Sequence, residues 1–138
     1  MLIMPSVRIP ARDWTRLMQL AFDSDSAGEP CAPFFRNEVH RAIVLDDGEC
    51  PHDIVCLNAW VTYSIDAGPA ETRLLVHPDD HQADSVHLSV LSPAGAALLG
   101  IRVGDRMPFV GADDALHVAS ALSVRQAPEG LRFFRTGE

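Results

Sequence analysis

Ser92-Pro93-Ala94-Gly95-Ala96-Ala97-Leu98-Leu99-Gly100-Ile101-Arg102-Val103-Gly104-Asp105 is the stretch that decides how this chain folds. Ser92 suits an N-cap, because its hydroxyl can accept from an amide that the first helical turn leaves unpaired. Pro93 fits the first helical position, where a missing N–H costs nothing. Ala96, Ala97, Leu98 and Leu99 favour helix, and Gly100 supplies a left-handed stop. The stretch predicts one apolar helix of about two turns, too short to be stable alone in water. It needs a sheet to lie against. Val86 to Leu91 before it and the chain after Gly104 both have strand character.

Further strands lie on either side. From Ile54 to Ile65 the apolar residues alternate, with Val55, Leu57, Ala59, Val61 and Tyr63 on one face. Gly68-Pro69 turns the chain into a strand over Thr72 to His77, and Pro78-Asp79-Asp80 opens a polar loop to about Asp84. After the helix come strands at Asp105 to Val110 and Leu116 to Val124, separated by a Gly111–Asp114 turn, with a short final strand at Leu131 to Phe134. The N-terminal third reads differently. Trp14, Leu17, Met18 and Ala21 form an apolar stripe on a helix from Pro10 to about Phe22. Asp23 to Glu29 is rich in turn and cap formers, and a second helix follows from about Pro30 to Val44 with Phe35, Val39 and Ala42 on one face. Asp46, Asp47, Gly48 and Pro51 then break the pattern and divide the chain into segments 1–50 and 51–138. The expected class is α+β: a short antiparallel helical hairpin followed by an antiparallel sheet packed on one short helix.

Composition narrows the function. Eleven cations, all arginine, face 19 Asp and Glu, for a net charge of −8. That balance argues against direct nucleic-acid binding, which depends on neutralising phosphates. No targeting segment and no membrane span is expected, because the longest uncharged run is interrupted by Pro93 and Gly95. Cys31, Cys50 and Cys56 are an odd number without framework spacing, which suits a reducing cytoplasm.

Pro51-His52-Asp53-Ile54-Val55, Leu88-Ser89-Val90, the Ser92–Gly100 run and Val103-Gly104-Asp105 together resemble the Rnk family, the regulators of nucleoside diphosphate kinase. These are relatives of the transcription elongation factors GreA and GreB. The spacing of Gly28, Pro30, Phe35, Glu38, Val39, Arg41 and Ala42 extends the resemblance to nearly the whole chain. It implies an N-terminal coiled coil, a C-terminal FKBP-like domain and a role as a non-enzymatic regulator in the cytoplasm. The implied partner is RNA polymerase, met at the rim of its secondary channel. In Gre factors a long coiled coil carries an acidic tip to the catalytic magnesium. Here a helix of about thirteen residues spans only about 20 Å, so the hairpin should stop short and leave transcript cleavage unstimulated.

The resemblance places the partner-binding surface at Asp79 and Asp80 and at the corner of Ser92, Pro93 and Ala94. The hairpin-tip acids are Asp23, Asp25 and Glu29. Their simplest explanation is turn and cap chemistry; the functional alternative is a shortened tip that engages metal or basic groups. No catalytic residue, metal or cofactor is expected. His77 and His81 have His-x3-His spacing, but Pro78 argues for a loop, and Cys50 and Cys56 lack knuckle spacing. His52 and Asp53 point to opposite sides of an extended segment, so Asp53 is expected to bond backbone amides at a corner. Trp14 and Trp60 are expected in the core. Two other function classes compete: a peptidyl-prolyl isomerase of FKBP type, disfavoured by 7% aromatic content, and a stand-alone dimerisation domain. A monomer is expected.

Overall fold

The computed structural model describes residues 4–82 and 86–126; the expected strand at Leu131 to Phe134 lies outside them. The chain begins with strand β1 (Arg8–Pro10), helix α1 (Ala11–Ser26), helix α2 (Ala32–His40) and strand β2 (Ile43–Leu45). β1 and β2 pair in parallel, Ile9 opposite Val44. A parallel pair needs a crossover, and the helical hairpin between them is that crossover. The sequence reading missed this two-stranded clasp. Three-residue strands carry no countable alternation, and Ile43 and Val44 of β2 fall within the expected second helix, with Leu45 just past its end.

The helix boundaries shift for identifiable reasons. α1 continues to Ser26 instead of ending near Phe22. Ser24 is buried and donates its hydroxyl proton to the Ala21 carbonyl at 3.3 Å, which accommodates a turn-forming residue inside the helix. α2 starts after Pro30 and ends at His40, because the chain must extend by Ile43 to join the clasp. α2, at 9 residues, would not be stable alone. Leu17, Phe35 and Val39 are fully buried in one core with the sheet, and burying such side chains stabilises by about 2 kcal/mol each.

Strands β3 (Ala59–Ile65), β4 (Glu71–Val76), β5 (His87–Ser89), β6 (Arg106–Val110) and β7 (Leu116–Gln126) form one sheet in the order β5-β4-β3-β7-β6. It is mixed, not antiparallel throughout: β4 and β5 run parallel, Leu75 opposite Leu88. The cause is the connection. The chain leaves β4 through a 3-10 turn at Pro78–Asp80 and returns to the end it started from. A hairpin would have reversed it. β3 begins at Ala59, later than expected, because Ile54 makes an isolated bridge to Arg102 and Val55 bonds the backbone around α3.

Helix α3 (Pro93–Leu98) is the short helix anticipated from sequence. Ser92 Oγ accepts from Gly95 N at 3.1 Å and donates to the Ser89 carbonyl at 2.7 Å, so one hydroxyl joins the helix start to β5. Gly100 adopts φ +81°, and a Cβ there would lie 2.5 Å from Val7 Cγ1. Only glycine lets the β1 approach pass so close to the end of α3. Arg8 N completes that contact by donating to the Gly100 carbonyl at 2.9 Å.

Candidate functional site

The corner at Ser92, Pro93 and Ala94 is half-buried, fixed by the Ser92 cap and by Leu91 N donating to Ser89 Oγ at 3.0 Å. Pro93 sits on the wall of a cleft of about 580 Å³. Across it stand Glu29 and Pro30 from the connection between the helices, Phe34 of α2, and Val110, Gly111, Ala112 and Asp114 from the end of β6 and the turn after it. Glu29 of the expected hairpin tip and Pro93 of the expected partner surface therefore face one cleft. The cause is the short hairpin. Its connection lies against the sheet instead of projecting beyond it.

The other anticipated residues separate. Asp79 is exposed, with 83% of its side chain open, whereas Asp80 is only 17% open. Asp80 receives a 3.1 Å bond from Arg16 of α1, so its carboxylate braces the loop to the hairpin. Asp23 and Asp25 lie in the last turn of α1, not in a connecting loop. Asp23 accepts from Gln19 at 3.0 Å, and Asp25 pairs with Arg36 of α2 at 2.6 Å. Each of these two acids has its own partner. Glu29 lies in the connection between the helices.

His77 and His87 each accept a local bond. His77 Nδ1 accepts from Asp79 N at 3.1 Å, and His87 Nδ1 accepts from Gln82 N at 3.0 Å. Among the described residues no cluster of three His, Cys, Asp or Glu has the geometry to hold a metal ion. Asp53 differs from expectation: its carboxylate lies 3.4 Å from Arg102 Nε, while its carbonyl accepts from Val103 N. Trp60 is only half-buried and has the Arg125 guanidinium 5.8 Å from its ring centre. Trp14 packs on the edge of the core. No helix among the described residues is long and apolar enough to cross a membrane.

One polar assembly beside the cleft was not anticipated. His117 Nδ1 meets Asp66 at 2.6 Å and its Nε2 meets Asp113 at 3.0 Å, joining two turns of the sheet. Residues 51 and 4 positions away in sequence meet on one ring, so spacing alone could not reveal it. Asp66 and then Asp113 raise the His117 pKa above its ordinary value, and the imidazole lowers both carboxyl pKa values. The histidine contribution is full below about pH 6.5 and is lost as pH rises through its raised folded value. The carboxylate contributions are lost as pH falls through their depressed values. The clamp should therefore be strongest between about pH 4 and 6.5. Urea midpoints measured from pH 6 to pH 9 should fall more steeply for the native chain than for His117→Gln. Equal slopes would show that the clamp does not stabilise the fold.

Residues 50–118, half of the chain, match the family model described as the C-terminal part of the transcription elongation factors GreA and GreB. The chain is 37% identical over 102 residues to proteins called regulator of nucleoside diphosphate kinase from Escherichia coli K12 and Shigella flexneri, covering 73% of this chain and 75% of each relative. A solved structure described as a prokaryotic transcription elongation factor GreA/GreB from Nitrosomonas europaea superposes with a TM-score of 0.69. Its sequence identity is 26%, over 87% of this chain and 99% of that one.

Proposed function

Because this chain belongs to the GreA/GreB family, we propose that it binds RNA polymerase at the rim of the secondary channel and does not stimulate transcript cleavage. The segment 51–138 is the dock, of FKBP-like type, and the segment 1–50 is the arm. The dock meets the polymerase through the Ser92, Pro93 and Ala94 corner and the exposed carboxylate of Asp79. Asp80 acts differently, by holding the Asp79 loop against Arg16. The protein works as a non-enzymatic regulator in the cytoplasm.

The observation that carries the cleavage half of this reading is the arm. α1 has 16 residues and α2 only 9, which at 1.5 Å per residue makes them about 24 and 14 Å long. The connection between them lies on the wall of the cleft beside Pro93. Asp23 and Asp25 are already held by Gln19 and Arg36, which leaves them poor ligands for a distant metal.

The test has two arms. Asp79→Arg should weaken retention of polymerase core about tenfold or more, as charge reversal at an interface rim does, while leaving the unfolding midpoint unchanged. Undiminished retention would remove Asp79 from the surface. Stalled elongation complexes incubated with the native protein should show no added transcript cleavage, and clear stimulation would defeat the claim about reach.

A further inference from the structure

We propose that Cys50 and Cys56 form an oxidisable dithiol, a modification site at which a hydroperoxide converts the two thiols into an intramolecular disulfide.

Their sulfurs stand 3.7 Å apart, in contact, and both cysteines are free in this structure. A disulfide needs a sulfur separation of about 2.05 Å, so closure requires an approach of about 1.7 Å. Cys50 is placed to supply it. It follows a 3-10 turn at Asp47–Glu49 whose Asp47 and Gly48 are exposed, and the backbone bond that holds it there, Cys50 N to the Asp47 carbonyl, is a long 3.5 Å. A Cβ at Gly48 would meet nothing within 4 Å, so that turn has open space around it. Cys56 stays fixed. Its neighbour Val55 donates to the Ile101 carbonyl at 2.9 Å and accepts from Gly100 N at 2.7 Å, which ties the segment to the end of α3.

The two thiols differ in access. Cys50 is half-buried and open to small oxidants, whereas Cys56 is fully buried. Burial, reinforced by Cys50, pushes the Cys56 thiol up and keeps it protonated. Cys50 is therefore the residue that meets the peroxide, and Cys56 resolves. In the first step the Cys50 thiolate attacks one peroxide oxygen. The O–O bond breaks, an S–O bond forms, and the leaving alkoxide or hydroxide takes up the proton that Cys50 lost, so the hydroperoxide is reduced to an alcohol, or to water when it is hydrogen peroxide. The product is a sulfenic acid. In the second step Cys56 gives up its thiol proton and its sulfur attacks the Cys50 sulfur. The S–S bond forms, the S–O bond breaks, and the hydroxide leaves as water with the thiol proton.

The disulfide would join the turn after β2 to the segment that supports α3. Asp47 of that turn already accepts from Arg12 N of α1 at 2.9 Å, so oxidation fixes the base of the hairpin to the sheet. Cys31 takes no part. It lines the cleft, and burial pushes its thiol up to about 11.

The test is a peptide map. Trypsin cuts after arginine, so peptide 42–73 contains Cys50 and Cys56 but not Cys31. After the native chain is treated with hydrogen peroxide and alkylated, that peptide should appear lighter by two hydrogens and unalkylated, and a dithiol reductant should restore both alkylation sites. In Cys56→Ser, oxidation should stop at a Cys50 sulfenic acid that dimedone captures. The proposal is overturned if both cysteines of the native chain remain alkylatable. It is equally overturned if Cys50 proceeds to sulfinic acid while Cys56 stays free, or if the only disulfide formed is between chains through Cys31. None of these outcomes depends on polymerase binding.

Discussion

Gly95→Ala should destabilise the protein by at least about 3 kcal/mol, the upper part of the range for an overpacked core. A Cβ on Gly95 would lie 1.9 Å from the Ser89 carbonyl oxygen, 2.8 Å from its carbon and 2.9 Å from Ser92 Oγ. The first two are backbone atoms of β5 and its carbonyl, held in turn by bonds from Ser92 Oγ and Ser92 N. Nothing at that contact is the free end of a flexible side chain. Either α3 must lift from β5 or the strand must leave β4. α3 also contributes Ala96, Ala97 and Leu98 to the core that the hairpin shares. The damage should therefore reach both segments in a single transition. Urea unfolding with a helix probe and with Trp14 fluorescence should show the same lowered midpoint. Gly48→Ala is the control, since its Cβ meets no neighbour, and it should change stability by less than about 1 kcal/mol. A Gly95→Ala midpoint matching the native one would refute the close packing of α3 on β5.

α3 shows why part of this fold was legible in sequence. Cap, first-turn proline, helix formers and a left-handed stop occur in consecutive positions, and each signal is local. The structure places all four as expected, from Ser92 to Gly100. The strands were legible in existence but not in direction. Alternation marks β4 and β5 equally well whether they run parallel or antiparallel, and the Pro78–Asp80 turn that decides the matter looks like any polar loop. The β1–β2 clasp was invisible for a different reason. Its residues pair 35 positions apart through six strand residues in all, too few for any period to emerge. The same limit applies to the candidate site. The residue types at Asp79 and Asp80 are identical, and the sequence could not separate them. What distinguishes them is Arg16, 64 positions from Asp80. The cleft that brings Glu29 to Pro93 is likewise a product of hairpin length and direction, which no short motif encodes.

Arg41→Met should cost about 3 kcal/mol, the lower end of the range for removing one partner of a buried ion pair. Glu38 is only 2% exposed although it carries a charge. Arg41 satisfies it from three residues further on, with Nε at 2.8 Å from one carboxylate oxygen and Nη2 at 2.9 Å from the other. This fork holds the end of α2 where the chain turns toward β2, and Nη2 also lies 3.9 Å from Met107 Sδ of β6. The pair therefore fixes the hairpin to the far edge of the sheet. Removing Arg41 leaves a largely buried carboxylate without its cation, and this is more costly than the loss of the bond itself. Its own side chain is about one-third exposed, so solvent reaches part of the site and keeps the penalty below the top of the range. The decisive comparison is the double variant Glu38→Leu with Arg41→Met. If the cost of the single change comes from an unpaired buried charge, removing that charge as well should restore most of the lost stability. Urea midpoints for the native chain, Arg41→Met and the double variant measure this directly. A double variant no more stable than Arg41→Met would show that the guanidinium acts through its packing on Met107 and not through Glu38.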